Sequence, residues 1–182
     1  YGILKAGCIV LPFNVLLKSS EIEFIIENSQ AKGIICFEGT AELKIADQVY
    51  DAYINVNQCK NMWVIDSIKA FSKYNENIKN FNNLIASEKE GFDTIQRSSE
   101  DTAIILYTSG TTGKPKGAEL THSNILFNAF VAKNLVDIKK DDKIIMSLPL
   151  FHVFGQIIMM VNGIMCSASL IVLTRFDPVE VL

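Results

Sequence analysis

The chain has 182 residues, 49% of them hydrophobic and 20% charged; at that size about 70% of the unfolded surface can be buried, which excludes a disordered polypeptide and suffices for one globular domain. A formal net charge of -3, without a run of lysine or arginine, excludes the basic face that a nucleic acid requires. Cys8, Cys36, Cys59 and Cys166 stand at wide, irregular spacings with no C-x-x-C pair, which excludes a zinc or dithiol motif and reads as free thiols in a reducing cytoplasm.

The opening YGILKAG reads as an amphipathic helix closed by Gly7, and it lacks the charged n-region and cleavage site of a signal peptide. Cys8 to Asn14, CIVLPFN, is expected to be a buried strand leaving at Pro12. Ser20-Glu-Ile-Glu23 has the spacing of a capping box for a helix through about Asn28. AKGIICF is the next strand, followed by a helix from Gly39-Thr40 to Asp51 with Leu43, Ile45, Ala46 and Val49 on its apolar side. Short strands are expected at Tyr53 to Val56 and at Met62 to Ile65. Residues 67–100 change texture: asparagines crowd between Asn75 and Asn83, which reads as a solvated connection carrying one short helix from Phe81 to Lys89.

The pattern then tightens into a strand at Thr102 to Thr108, a glycine-rich loop, and a helix from Thr121 to Leu135. A strand at Lys143 to Ser147, a helix across Gly155 to Met165 and a strand at Ser169 to Leu173 follow. From Ile144 to Thr174 there is no Asp, Glu, Lys or Arg, a length that could cross about 30 Å of hydrocarbon. Pro149, His152, Gly155, Gln156, Asn162 and Gly163 break it into pieces of strand and helix length, so a buried strand-helix-strand unit is expected instead. Strands alternating with helices imply an α/β fold of parallel βαβ units. Residues 1–66 form a first βαβ region, 67–100 the connection, and 101–182 the glycine-rich loop and the start of a second sheet. Tyr1 stands where a methionine would, and the helix announced by Asp177-Pro178 is cut short at Leu182, so the sequence reads as a fragment of a longer protein.

The glycine-rich loop, YTSGTTGKPKG from Tyr107 to Gly117, carries the chemistry. Gly110, Gly113 and Gly117 leave no Cβ to block an anion from successive backbone N–H groups. Thr108, Ser109, Thr111 and Thr112 add hydroxyl donors and magnesium contacts, with Thr111 the candidate metal ligand. Lys114 and Lys116, held apart by Pro115, supply the charge that a polyphosphate attracts. A Walker loop would need glycine at 108 and Ser or Thr at 115, where this sequence has Thr108 and Pro115. On composition alone, a Gly/Ser/Thr hairpin with solvated lysines remains open.

As a whole the motif resembles the phosphate-binding signature of the adenylate-forming (AMP-binding) superfamily: acyl-CoA synthetases, luciferases and the adenylation domains of peptide synthetases. Leu4 to Asn14, LKAGCIVLPFN, resembles the family's LKAGAxxVPLN segment, with Cys8 and Leu11 as departures. Glu119 to Leu126, ELTHSNIL, resembles its helix start, and Leu148 to Gln156, LPLFHVFGQ, its next core segment. The combination is most similar to bacterial medium- or long-chain fatty-acid CoA ligases, and the chain would be part of their large N-terminal domain.

The resemblance implies a two-step reaction in which a carboxylate attacks the α-phosphorus of Mg2+-bound ATP, releasing pyrophosphate, and the thiol of coenzyme A then displaces AMP to give a thioester. Thr108, Ser109, Gly110, Thr111, Thr112, Gly113 and Gly117 would cradle the phosphates, and Lys114 and Lys116 would offset their charge. His152 would contact the substrate carboxylate or α-phosphate; a satisfied core histidine is the alternative. Phe151, Phe154, Met159 and Met160 would pack an acyl tunnel or, equally, an ordinary core. His122 reads as a helix-start residue. The family's magnesium-binding acid, ribose-binding aspartate, hinge and C-terminal lysine have no counterpart in this stretch, so weak nucleotide binding without turnover is expected of it alone. Fatty substrates would invite peripheral membrane contact. Two rivals are an amino-acid or aryl-acid adenylating enzyme that loads a carrier protein, and a non-catalytic nucleotide-binding module.

Overall fold

The computed structural model describes residues 1–65, 78–88, 91–108, 114–173 and 176–181. Helix α1 (Gly2–Lys5) ends as its glycine dictates: Gly7 takes a φ of 70°, and the N–H groups of Gly7 and Cys8 donate to Leu4 O and Ile3 O at 2.9 and 3.1 Å. The expected strand from Cys8 to Asn14 reduces to one parallel bridge. Val10 N–H donates to Ala103 O at 2.9 Å and Val10 O accepts from Ile105 N–H at 3.0 Å, and Pro12, lacking an N–H, cannot extend the ladder.

Helix α2 (Ser19–Ser29) begins two residues earlier than the proposed capping box. Its cap is Lys18, whose backbone N–H donates to Glu21 Oε2 at 2.9 Å. Only that half of a box can form, because the lysine ammonium has no acceptor. Glu23 instead accepts a hydrogen bond from Asn55 Nδ2 at 2.9 Å. Strand β1 (Gly33–Phe37) lies where expected. Helix α3 (Ile45–Tyr53) starts later than Gly39-Thr40, because Gly39 at a φ of 109° and Thr40, whose Oγ1 accepts the Leu43 N–H at 3.1 Å, fold first into a turn. Tyr53 to Val56 is no strand: it closes that helix, with the Ile54 and Val56 N–H groups on Tyr50 O and Tyr53 O at 3.1 and 3.2 Å.

Strand β2 (Asn61–Ile65) pairs in parallel with β1 and with β3 (Ile78–Asn80), a strand that the asparagine-rich texture concealed. Helix α4 (Phe81–Ser87) follows at the expected place, capped by Asn80 Oδ1 on the Asn83 N–H at 3.0 Å. Within the expected connection, residues 67–77 and 89–90 lie outside the described residues. Beyond it come β4 (Thr102–Thr108), β5 (Lys116–Thr121) and α5 (His122–Val136), then β6 (Lys143–Met146), a π-helical segment (Phe154–Val161), α6 (Asn162–Met165), β7 (Ser169–Val172) and α7 (Pro178–Val181). β6 and β7 are parallel, so Ile144 to Leu173 is the strand-helix-strand unit expected, and among the described residues no helix is long and apolar enough to cross a membrane. Asp177 Oδ1 accepts the Val179 N–H at 2.8 Å, as its capping role requires.

The chain divides into two compact units. Val15–Asp93, with Lys114 and Pro115, makes one; in it α3 packs on β1 and α2 on α3. Its core joins Ile22, Ile25 and Ile26 of α2 with Ala46, Val49 and Ala52 of α3 and Ile34, Cys36, Met62 and Val64 of the strands, all buried. Each fully buried large side chain contributes about 1.5–3 kcal/mol. On β1, Gly33 makes room for the Trp63 ring, which a Cβ would meet at 2.8 Å. The other unit, Tyr1–Asn14, Thr94–Thr108 and Lys116–Leu182, is centred on Ala103, Ile104, Ile125, Ala129 and Ile157. The α/β class with parallel sheets holds, with one antiparallel pair, β4 and β5, among the described residues.

Among the cysteines, Cys8 is exposed while Cys36, Cys59 and Cys166 are buried. Burial pushes the Cys36 thiol from its ordinary 9.0 up to about 12. Because the folded-state value is raised, the stability it reflects is complete below pH 9 and is lost as pH climbs from 9 toward 12. The unfolding free energy from urea titrations across that range should fall by up to about 1.4 kcal/mol per pH unit, and Cys36→Ala should flatten the slope. A thiol reagent at neutral pH should modify Cys8 alone until urea unfolds the chain.

Candidate functional site

The glycine-rich motif sits at the end of a β-hairpin. Strand β4 forms because TAIILYT is a continuous apolar run between threonines, which buries Ala103 and Ile104, and β5 returns antiparallel beside it. The sequence reading missed β5: KGAELT has no apolar alternation, since four of its six residues are exposed. Its signal was the capping box that follows. Thr121 Oγ1 accepts the Asn124 N–H and Asn124 Oδ1 accepts the Thr121 N–H, both at 3.1 Å, so α5 starts at His122 and a strand has to end there. His122 serves as the helix-start residue expected, its N–H on Asp101 O at 3.2 Å.

The register opposes Thr108 to Lys116 and Tyr107 to Gly117. Thr108 and Lys116 are therefore cross-strand neighbours, with Cβ atoms roughly 5 Å apart, and both are exposed. Gly117 is needed for a local reason: a Cβ there would meet Ile105 Cγ2 at 3.0 Å and the Tyr107 ring at 3.1 Å. The ring thus crosses the pair, and its burial pushes the Tyr107 phenol above its ordinary range. Ser109, Gly110, Thr111, Thr112 and Gly113 lie outside the described residues. The hairpin alternative is correct as architecture, and it is compatible with an anion site.

Lys114 is exposed and belongs to the other unit, where its Nζ lies 5.9 Å from the centroid of the Phe24 ring. Among the described residues neither Lys114 nor Lys116 has an ion-pair partner. No group of three His, Cys, Asp or Glu that could hold a metal occurs among the described residues.

His152 is exposed, in the turn between β6 and the π-helical segment. Its Nδ1 accepts the Phe154 N–H at 3.2 Å, its N–H donates to Pro149 O at 3.0 Å, and its carbonyl accepts the Gln156 N–H at 3.0 Å. With Nδ1 occupied, Nε2 is the outward donor of the neutral ring. Among the described residues no hydrogen bond or ion pair joins His152 to Thr108, Lys116 or Gly117. Phe154 is exposed, while Phe151, Met159 and Met160 are half-buried.

The helix expected across Gly155 to Met165 is π-helical through Val161 before it becomes α6. Gly155 is pressed onto the preceding turn, where a Cβ would lie 2.6 Å from Pro149 O and 2.9 Å from Leu148 O. Two buried polar residues here were read in the sequence only as breaks in the apolar run. Gln156 Oε1 and Asn162 Nδ2 have no hydrogen-bond partner among the described residues, while Asn162 Oδ1 accepts from Cys166 Sγ at 3.4 Å. Their signal was two amides in a stretch otherwise nearly free of them.

The AMP-binding enzyme family matches residues 1–182. This chain belongs to that family. It is 32% identical, over 199 aligned positions, to a long-chain-fatty-acid–CoA ligase of Bacillus subtilis (strain 168), covering 100% of this chain and 36% of that protein. It matches the anthranilate CoA ligase AuaEII in complex with anthranoyl-AMP with a TM-score of 0.84 at 25% identity, over 97% of this chain and 32% of that one. ATP-bound MatB from Rhodopseudomonas palustris gives a TM-score of 0.78 at 27% identity, over 98% and 33%. The chain thus spans about a third of the length of these relatives. Its family is that of adenylate-forming CoA ligases, and the N-terminal-domain fold expected from the signature is the fold observed.

Gly155→Ala should cost about 1–3 kcal/mol, since the added methyl must displace two backbone carbonyls rather than a flexible side chain. A matched Gly2→Ala, where nothing lies within 4 Å, should shift the urea midpoint far less.

Proposed function

We propose that this chain supplies the phosphate-handling part of a ligase that activates a carboxylic acid with ATP and passes the acyl group to coenzyme A, the acid being a fatty acid. The observation that carries this reading is the hairpin end. There a signature loop is strung between Thr108 and Lys116, two exposed residues opposed across β4 and β5, with no carboxylate among the described residues neutralising the lysine.

In this reading Lys116 and Lys114 bind the β- and γ-phosphates electrostatically, while the hydroxyl of Thr108 and the donors of Ser109 to Gly113 fix their orientation, with Thr111 toward magnesium. Gly117 lets Tyr107 stiffen the base of the loop. His152, its Nδ1 anchored by the Phe154 N–H, directs Nε2–H at the carboxylate or the α-phosphate, where charge accumulates as the acid oxygen attacks. ATP, when bound, supplies the leaving pyrophosphate. Coenzyme A supplies the thiol that then takes the acyl carbon as AMP departs. Residues 1–66, 67–100 and 101–182 would be successive parts of one N-terminal domain, working with segments beyond this stretch in the cytoplasm or at a membrane surface that holds the fatty acid. Support for the fatty acid comes from the similarity to the Bacillus subtilis ligase. An aryl acid is the second reading, favoured by the likeness to the anthranilate ligase.

ATP-pyrophosphate exchange by the protein of the complete reading frame tests this, offering octanoate, palmitate, benzoate and an amino-acid mixture separately. Exchange is expected with a fatty acid, falling about tenfold or more in Lys116→Ala, as for loss of a hydrogen bond to a charged group. His152→Ala should fall similarly while melting like the parent, because its ring is exposed. Exchange with benzoate or amino acids only would replace the substrate, and none with any acid would leave a nucleotide-binding module.

A further inference from the structure

The two lysines of the motif are in different situations. Lys116 is fixed by its strand, paired with Thr108 across the hairpin. Lys114 lies outside any strand or helix, and an exposed lysine there should sample many rotamers at an entropic cost to any ligand that recruits it. Its ammonium nonetheless has a resting place over the Phe24 ring, 5.9 Å from the centroid, within the range of a cation–π contact. Phe24 is half-buried in α2, between the buried Ile22 and Ile25, so its ring is held by the core of that unit.

We propose that Phe24 is a positioning residue for Lys114: the ring gathers the ammonium into one region without neutralising it, so that a polyphosphate meets a charge already confined. A carboxylate in that place would also confine the lysine, but it would cancel the charge and compete with the phosphate for it. An aromatic face draws the cation by its quadrupole and leaves its hydrogen-bond donors free. Among the described residues no carboxylate pairs with Lys114, which leaves Phe24 as its confining contact. This inference rests on the phosphate-binding role proposed for Lys114, and it adds a residue from a helix far away in sequence that carries no charge.

The test is calorimetric titration of the protein with inorganic tripolyphosphate, comparing the parent with Phe24→Leu, Phe24→Tyr, Lys114→Ala and the Phe24→Leu/Lys114→Ala double variant, each checked for parental melting. Expected are a two- to fivefold weaker affinity in Phe24→Leu, near-parental affinity in Phe24→Tyr, and a double variant no weaker than Lys114→Ala. An independent readout is the NMR shift of the Lys114 Cε protons, which should lie upfield over the ring and return to the random-coil position in Phe24→Leu. Unchanged or tighter binding in Phe24→Leu, or a further loss on adding it to Lys114→Ala, overturns the positioning role while leaving phosphate binding intact. No binding by the parent, or full affinity in Lys114→Ala, overturns the lysine's phosphate role and this inference with it. Should Phe24→Leu melt well below the parent, Phe24→Tyr and the Lys114 shift in the parent decide instead: a random-coil shift overturns the proposal.

Discussion

The antiparallel pairing of β4 with β5 is the constraint on which the rest of the candidate site depends. Strand β4 is held on both edges, by β5 along its length and by Val10 through one parallel bridge, and its apolar residues anchor in the core formed with α5 and the π-helical segment. The residues that flank the loop, Thr108 and Lys116, are thereby held opposite one another by the ladder. A motif made of glycine and small hydroxylated residues has almost no packing of its own, so any precision it has must be imported from such a base. The crossing of the Tyr107 ring over Gly117 extends that rigidity to the last residue pair but one before the loop.

Legibility in the sequence followed the physics of each element. Strand β4, helix α5 and the pair β6 and β7 were readable within a residue or two, because continuous apolar runs bounded by a cap or a glycine leave little choice. Strand β5 was hidden, since an exposed partner strand needs no apolar pattern when its neighbour provides the ladder. The cap of α2 was misplaced for a related reason: Ser20 and Glu23 have the right spacing, but Glu21 reaches the Lys18 N–H first. Cys8 to Asn14 looked like a strand by composition, yet composition does not say whether an edge is available beyond one residue. The glycine-rich motif was legible as family; the contact between Lys114 and Phe24 was not, as nothing in the local sequence links positions ninety apart.

Helix α5 shows how the family context bears on the stability of this stretch. It buries Ile125, Ala129 and Ala132, but Leu126, Phe127, Phe130 and Leu135 are exposed, so it is apolar nearly all round. A helix of that kind ordinarily lies between two layers. The chain spans only about a third of its relatives' length, and an exposed apolar face favours association.

The π-helical segment carries a consequence for how this region tolerates change. A π-turn holds one residue more than an α-turn, and each residue of an α-helix turns the chain by about 100°. Removing a single residue between Phe154 and Val161 would let the segment rewind as α-helix, and the turn lost with that residue would be largely made up by the tighter winding of the rest. His152 and the aromatic residues flanking it would then keep nearly their direction, where the same deletion in a continuous α-helix would swing them by about 100°. The π-helical winding is therefore a reserve of length, by which this segment can lose a residue without redirecting the histidine.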